Sequence, residues 1–367
     1  MKHFYKKILK RFASCLVIAA LAACSLSGCN QESSSSKKES ETEEKKIQIG
    51  MCFDSFVIER WQRDRDVFVS MAKELGAEVN IQIAGGDVDE QKKQIDYFIK
   101  KGMDVIVIVA IDSIHMKDAV KKAQDAGIKV IAYDRMIADA GTDLYISFDN
   151  EMVGELMGQA LVDAGLTDKK VVMICGSPND TNVPMVETGF EAVMEEAGNE
   201  IIDKTYADGW KAELAGDYVY NNISTIIRCD AIMCGNDDLA SHTLRALSEK
   251  RLAGRKLVVG QDADLEACQR IVEGTQLMTV YKPIEKLAQT AAVCAVKLAN
   301  GEALDAESLE SDGTELSTIN DGSNTIPYLK IQPVSVTADN INDVIIKSGF
   351  HLKEDVYLNV PGKMPEN

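Results

Sequence analysis

The 367-residue chain has no G-x-G-x-x-G after its first apolar run, no G-x-x-x-x-G-K-[ST] and no H-E-x-x-H. Without a phosphate cradle, dehydrogenases and NTPases drop out of consideration. Metal ligands are as scarce. Its four histidines (His3, His115, His242, His351) form no cluster with cysteine, the nine cysteines show no C-x-x-C spacing, and no D-x-N-x-D calcium loop occurs. Neither a metal nor a cofactor is expected. Basic residues are outnumbered 40 to 58, for a formal net charge of -18. No basic stripe is left to neutralise phosphates, so nucleic acid is not a partner. Aromatic residues are few, and only two are tryptophan, Trp61 and Trp210.

The first 28 residues read as an address. Lys2, Lys6, Lys7, Lys10 and Arg11 precede an apolar stretch, Phe12 to Ala23, that is too short to span a bilayer. Leu26-Ser27-Gly28-Cys29, and alternatively Leu21-Ala22-Ala23-Cys24, resemble a bacterial lipobox whose cysteine receives diacylglycerol. Cys29 is preferred to Cys24, because the segment 29–46 is rich in Ser, Glu and Lys and lacks aromatics, as a flexible tether would be. An exported protein held by lipid at the outer face of a membrane is expected. Removing 1–28 takes away five basic and no acidic residues, so the net charge moves from -18 to -23. Such a domain does not adhere electrostatically to anionic lipid, and the acyl chains must hold it there.

Three of the nine cysteines (Cys15, Cys24, Cys29) fall in this leader. Others lie in apolar runs such as Val171-Val172-Met173-Ile174-Cys175, where a free thiol behaves as a small hydrophobe. A Cys229–Cys234 bridge stays open as an alternative.

From Ile47 onward the pattern alternates strand and helix. Strands are expected at 47–51, 78–83, 105–109 and 129–133, with helices at 61–75, 89–101 and 114–126 between them. After Asn150 the alternation restarts, with strands at 170–175, 200–206, 231–234 and 256–260. Val105-Ile106-Val107-Ile108-Val109 is apolar at every position, which suits a parallel strand buried on both faces. About 320 residues of this kind predict an α/β fold of two doubly wound parallel-sheet lobes. Ligands of such sheets meet loops at the carboxyl ends of strands. The polar groups Asp134-Arg135, Asn236-Asp237-Asp238 and Gln261-Asp262 fall there.

Both tryptophans sit among polar residues, Trp61 in Glu59-Arg60-Trp61-Gln62-Arg63-Asp64 and Trp210 after Asp208-Gly209. Taken alone, these surroundings suit two half-exposed surface residues at least as well as a site. Two flat rings can also enclose a pyranose, packing on its C–H faces while polar groups take the hydroxyls.

Longer stretches decide between the two. Ile49-Gly50-Met51, Glu59 to Asp66, Ala132-Tyr133-Asp134-Arg135-Met136-Ile137, Tyr145 to Glu151, Gly260 to Leu265 and Gly274 to Pro283 together resemble the bacterial D-xylose-binding proteins. These are substrate-binding components of sugar ABC importers, in the superfamily of the ribose-binding proteins. The resemblance runs from about residue 47 to Phe350. It departs at Cys29 and its tether, at Ser177 to Glu187, and beyond His351. It implies a type I periplasmic-binding-protein fold with three crossovers, near Asn150, near Lys282 and around 315–320. Lobe one would then be 47–149 plus 283–316, lobe two 150–282 plus 317–350, and 351–367 a tail.

The resemblance further implies that D-xylose lies between Trp61 and Trp210. Arg60, Asp134 and Arg135 would contact it from lobe one, and Asn236 and Asp262 from lobe two. Asn150 and Lys282 would stand near crossovers. The implied function is a monomeric binding protein, not an enzyme, that closes on the sugar and delivers it to a membrane permease. Presentation to a membrane histidine kinase is the alternative. A glycosidase using Asp134 and Asp262 is remote, because an enclosed monosaccharide site leaves no room for an aglycone.

Overall fold

Runs that are apolar at every position become interior parallel strands. The computed structural model describes residues 46–56, 60–311 and 313–365. The leader, its tether up to residue 45, Cys24 and Cys29 lie outside the described residues.

The first lobe begins β1 (Gln48–Phe53), α1 (Arg60–Glu74), β2 (Glu78–Ile83), α2 (Val88–Lys101), β3 (Val105–Ile108), α3 (Lys117–Asp125), β4 (Lys129–Tyr133) and β5 (Leu144–Phe148). The second holds α4 (Asn150–Asp163), β6 (Lys170–Cys175), α5 (Asn182–Glu196), β7 (Glu200–Tyr206), α6 (Glu213–Asn221), α7 (Ile223–Arg228), β8 (Ala231–Cys234), α8 (Asp237–Glu249), β9 (Leu257–Gln261), α9 (Leu265–Glu273) and β10 (Met278–Tyr281). The chain then returns to the first lobe with α10 (Ile284–Ala299), α11 (Ala306–Leu309), β11 (Thr314–Asn320) and β12 (Thr325–Ile331). It ends on the second with β13 (Val334–Thr337) and α12 (Lys353–Val356).

Two sheets result, in the orders β11-β12-β5-β4-β3-β1-β2 and β13-β10-β9-β8-β6-β7. All pairings are parallel except β11 with β12 and β10 with β13, at one edge of each sheet. Every residue of β3, β5, β8 and β10 is buried, as expected of strands covered on both faces. Helix ends follow local chemistry. Asp87 caps α2 by accepting from the Glu90 N–H, and Gly102 ends that helix at φ 67°.

The chain passes between sheets at 149–150, 282–283 and 332–333. The last differs from the expected 315–320. β11 and β12 form a hairpin, and β12 pairs in parallel with β5 from Tyr328 opposite Tyr145 to Ile331 opposite Phe148. Ile326 and Tyr328 thereby join the first lobe's core. Residues 317–331 therefore belong to lobe one. The C-terminal segment beyond His351 is docked on the second lobe. Val356 and Tyr357 are buried against Cys268, Ile271 and Val272 of α9, and Lys363 Nζ donates to the Val272 carbonyl.

Cys229 and Cys234 are free thiols, so that candidate bridge does not form, and Cys52, Cys175, Cys268 and Cys294 are likewise free and buried.

Candidate functional site

The carboxyl ends of the strands in both sheets face one cavity of about 510 Å3, counted out to its mouth. All nine residues singled out in the sequence line it: Arg60, Trp61, Asp134, Arg135, Asn150, Trp210, Asn236, Asp262 and Lys282. Trp61 is not a surface residue; it is 1% exposed, against Phe53 at 6.3 Å between ring centroids. Trp210 is half-buried, on a 3-10 turn, Asp208–Trp210.

Each cation here has acidic partners. Arg60, the first residue of α1, holds Asp64 one turn on through Nε and Nη2, each at 3.2 Å, and its Nη2 is 2.9 Å from Asp134 Oδ2. Its guanidinium lies over the Trp61 ring at 4.4 Å. Arg135 Nη1 donates to Asp54 Oδ2 at 2.7 Å, while its Nε is 2.8 Å from Asp180 Oδ2. Lys282 Nζ is 3.0 Å from Asp262 Oδ1. Burial would push the Asp134 carboxyl up, yet Arg60, then Lys282 and Arg135, outweigh it and hold the group below the ordinary value. For Asp64 and Asp180 burial wins, and both are raised.

Three of these residues carry left-handed backbone, Asp134 at φ 64°, Trp210 at 58° and Asp262 at 99°, and Ala263 follows at 55°. Such conformations cost on the order of 1 kcal/mol or more each, and persist where the surroundings over-determine them. For Asp134 those surroundings are explicit: Ser147 Oγ, at 2.7 Å, and Asn182 Nδ2, at 3.0 Å, both donate to its carbonyl. Asn236 caps α8, its Oδ1 accepting from the Leu239 N–H at 2.9 Å, which leaves its amide hydrogens to donate. Asn150, at the first crossing, donates from Nδ2 to Ser147 Oγ at 3.2 Å.

Two close approaches fix the second lobe's contribution. A Cβ on Gly176 would stand 2.2 Å from the Trp210 ring, so only glycine lets that ring lie on the β6 terminus. A Cβ on Gly154 of α4 would stand 2.0 Å from the Val186 carbonyl, and one on Gly189 of α5 equally close to that of Glu151. This helix contact seats the start of α5 at the cleft.

Sequence reasoning missed that start. Asp180, Asn182, Val183, Val186 and Glu187 all line the cavity, and all lie in the segment 177–187 where the resemblance departs. They follow the carboxyl end of β6, a position that the strand-end rule alone would have flagged. Asp180 Oδ2 also accepts from Trp210 Nε1 at 3.1 Å, and Tyr145 of the first lobe donates to Asn182 Oδ1 at 3.1 Å. The lobes thus meet directly here.

Buried polar atoms are seldom left without hydrogen bonds. Among the described residues seven side-chain atoms are, and five surround this cavity: Trp61 Nε1, Asp134 Oδ2, Arg135 Nε, Gln261 Oε1 and Asp262 Oδ1. Three of them touch a countercharge, but outside hydrogen-bond geometry. Donors and acceptors are interspersed and charge is paired, so the cavity matches a neutral ligand bearing several hydroxyls better than an anion or a cation. Asp134 is poorly suited to donate a proton as a general acid, being held ionised by Arg60. No group of His, Cys, Asp or Glu side chains among the described residues could hold a metal.

The family model of the periplasmic binding protein domain matches residues 49–303. The chain is 41% identical over 317 residues to the D-xylose-binding periplasmic protein of Escherichia coli, covering 85% of this chain and 93% of that one. It is 39% identical over 318 residues to the D-xylose-binding periplasmic protein of Haemophilus influenzae, with the same coverage. Among solved structures, an ABC transporter solute-binding protein from Clostridium phytofermentans with bound β-D-glucose superposes with a TM-score of 0.74 at 25% identity, covering 84% of this chain and 99% of that one.

Proposed function

Since the chain belongs to the periplasmic binding protein family, we propose that it captures D-xylose by closing its two lobes and delivers the sugar to an ABC importer. The observation that carries this reading is one cavity in which both lobes place two indoles among ion-paired carboxylates and cations, with buried Trp61 Nε1 and Gln261 Oε1 left without a hydrogen-bond partner. An unmet buried donor or acceptor costs about 1–3 kcal/mol, so a ligand hydroxyl that meets one removes that cost on binding. Carboxylates accept from sugar hydroxyls and guanidinium and ammonium groups donate to them, in charge-assisted bonds about twice as strong as neutral ones. Trp61 and Trp210 supply apolar faces for the C–H groups of the ring. Arg60, Trp61, Asp134 and Arg135 come from the first lobe and Trp210, Asn236 and Asp262 from the second. Contacts to all of them exist only in the closed form, and the sugar thereby stabilises closure.

In this reading the mature protein is an exported monomer held to the outer face of the membrane by lipid on Cys29, with Cys24 the alternative acceptor. Calorimetric titration with xylose, ribose, arabinose, glucose and galactose tests the ligand. Tightest binding of D-xylose is expected; preference for any of the other four sinks the xylose assignment.

A further inference from the structure

Asp262 reaches the cavity from a turn with two successive left-handed residues that are not glycine, Asp262 and Ala263. Such a turn must be held. On the inner side Ala263 N donates to Thr279 Oγ1 at 3.1 Å, Asp264 N donates to Asp237 Oδ2 at 3.2 Å, and Asp262 N donates to the Val280 carbonyl at 2.9 Å. On the outer side the Ala263 carbonyl is met from a different part of the chain, by His351 Nε2 at 2.8 Å. A carbonyl only accepts, so Nε2 carries the hydrogen.

A second cavity of about 690 Å3, counted out to its mouth, lies behind this turn. Arg60 and Asp262 line both cavities, and Arg63, Ala263, Phe350 and His351 line the second. The wall carrying Asp262 therefore has open space on both sides. His351 bridges that space to the C-terminal segment, which is itself anchored. Phe350 packs edge-on to Tyr281 at 4.8 Å, and Gln269 of α9 donates to the Asp355 carbonyl at 2.8 Å. Arg63, on the first-lobe helix that also bears Arg60 and Trp61, donates to the Phe350 carbonyl at 3.0 Å and lies over its ring at 4.4 Å.

We infer that His351 is a positioning residue for ligand binding: through the Ala263 carbonyl it holds the strained turn that presents Asp262, and the C-terminal segment is thereby a working part of the site. Next to it, Phe350 ties that segment to the first lobe. His351 itself touches no ligand; its effect passes through Asp262. The inference rests on the sugar-binding reading above.

The test uses the whole mature protein and D-xylose, by calorimetry, with His351→Ala, His351→Gln and His351→Asn, alone and combined with Asp262→Asn. A glutamine amide reaches the position of Nε2, whereas an asparagine amide reaches only that of Nδ1. His351→Ala and His351→Asn are expected to weaken xylose binding about tenfold, as loss of one well-placed hydrogen bond would. His351→Gln should restore binding to within about threefold of wild type. In the Asp262→Asn background His351→Ala should add less than about threefold. If His351→Ala does not fold, the contrast between Gln and Asn decides. Equal binding by the Gln and Asn variants overturns the inference, as does a full tenfold loss that persists without the Asp262 carboxylate. If the wild-type protein binds none of the five sugars, the sugar-binding reading fails instead, and that failure is visible before any variant is made.

Discussion

Asp180 and Arg135 come from opposite lobes and meet at 2.8 Å, both 4% exposed. The same Asp180 oxygen accepts from Trp210 Nε1 at 3.1 Å. One carboxylate thus aligns a first-lobe cation with a second-lobe ring, and it does so only while the lobes are together.

Asp180→Asn places an amide donor against Arg135 and should destabilise the closed form specifically. D-xylose affinity is expected to fall about 10- to 100-fold, mostly through faster dissociation. Calorimetry and stopped-flow dissociation measure both. Affinity within twofold of wild type would show that the sugar alone holds the lobes.

Trp61 and Trp210 are the only tryptophans in the chain, so intrinsic fluorescence reads the cavity. Xylose should change the emission of wild type and of Trp61→Phe, in which Trp210 reports alone. Trp210→Ala should weaken binding about 30- to 100-fold. Gly176→Ala should mimic that loss in a folded protein, because its Cβ would occupy the place of the ring. Normal binding by both variants would remove Trp210 from the site.

Much of the lobes' architecture is legible in the chain, because β3 and β8 are short runs apolar at every position, and β4 and β6 are apolar after a first lysine. The hairpin of β11 and β12 is not. Thr314-Glu315-Leu316-Ser317-Thr318-Ile319-Asn320 has only two apolar residues, three apart, and so lacks a strand's two-residue period at its sheet edge, and its partner's identity is a long-range fact of pairing with β5. The third crossing is misplaced for that reason. At the cavity, residues in long family-like stretches are legible, whereas Asp180 and Asn182 show in the sequence only by their place after the carboxyl end of β6; what seats them, Gly154 and Gly189 packing α5 against α4, is a tertiary contact. His351 lies further still, joined to Ala263 across 88 positions of sequence.

Asp237, at the start of α8, is wholly buried, and burial pushes its carboxyl up to about 7 despite hydrogen bonds from Thr279 and Gln276 and the nearby Arg270. A carboxyl raised on folding stabilises the protein fully below its unfolded value near 4. That contribution is lost as pH rises through about 7. Unfolding midpoints followed from pH 4 to pH 8 should contain a downward component across this window that Asp237→Asn lacks. Identical pH slopes for the two proteins would exclude it.

The chain passes between the lobes three times, an odd number. A path that starts on one body and switches an odd number of times must finish on the other. The described chain accordingly starts at Lys46 beside β1 and ends with the segment docked on α9. The two ends are carried by different moving parts, so a donor and acceptor dye placed there would report the lobes' relative motion through energy transfer, with the cleft left untouched.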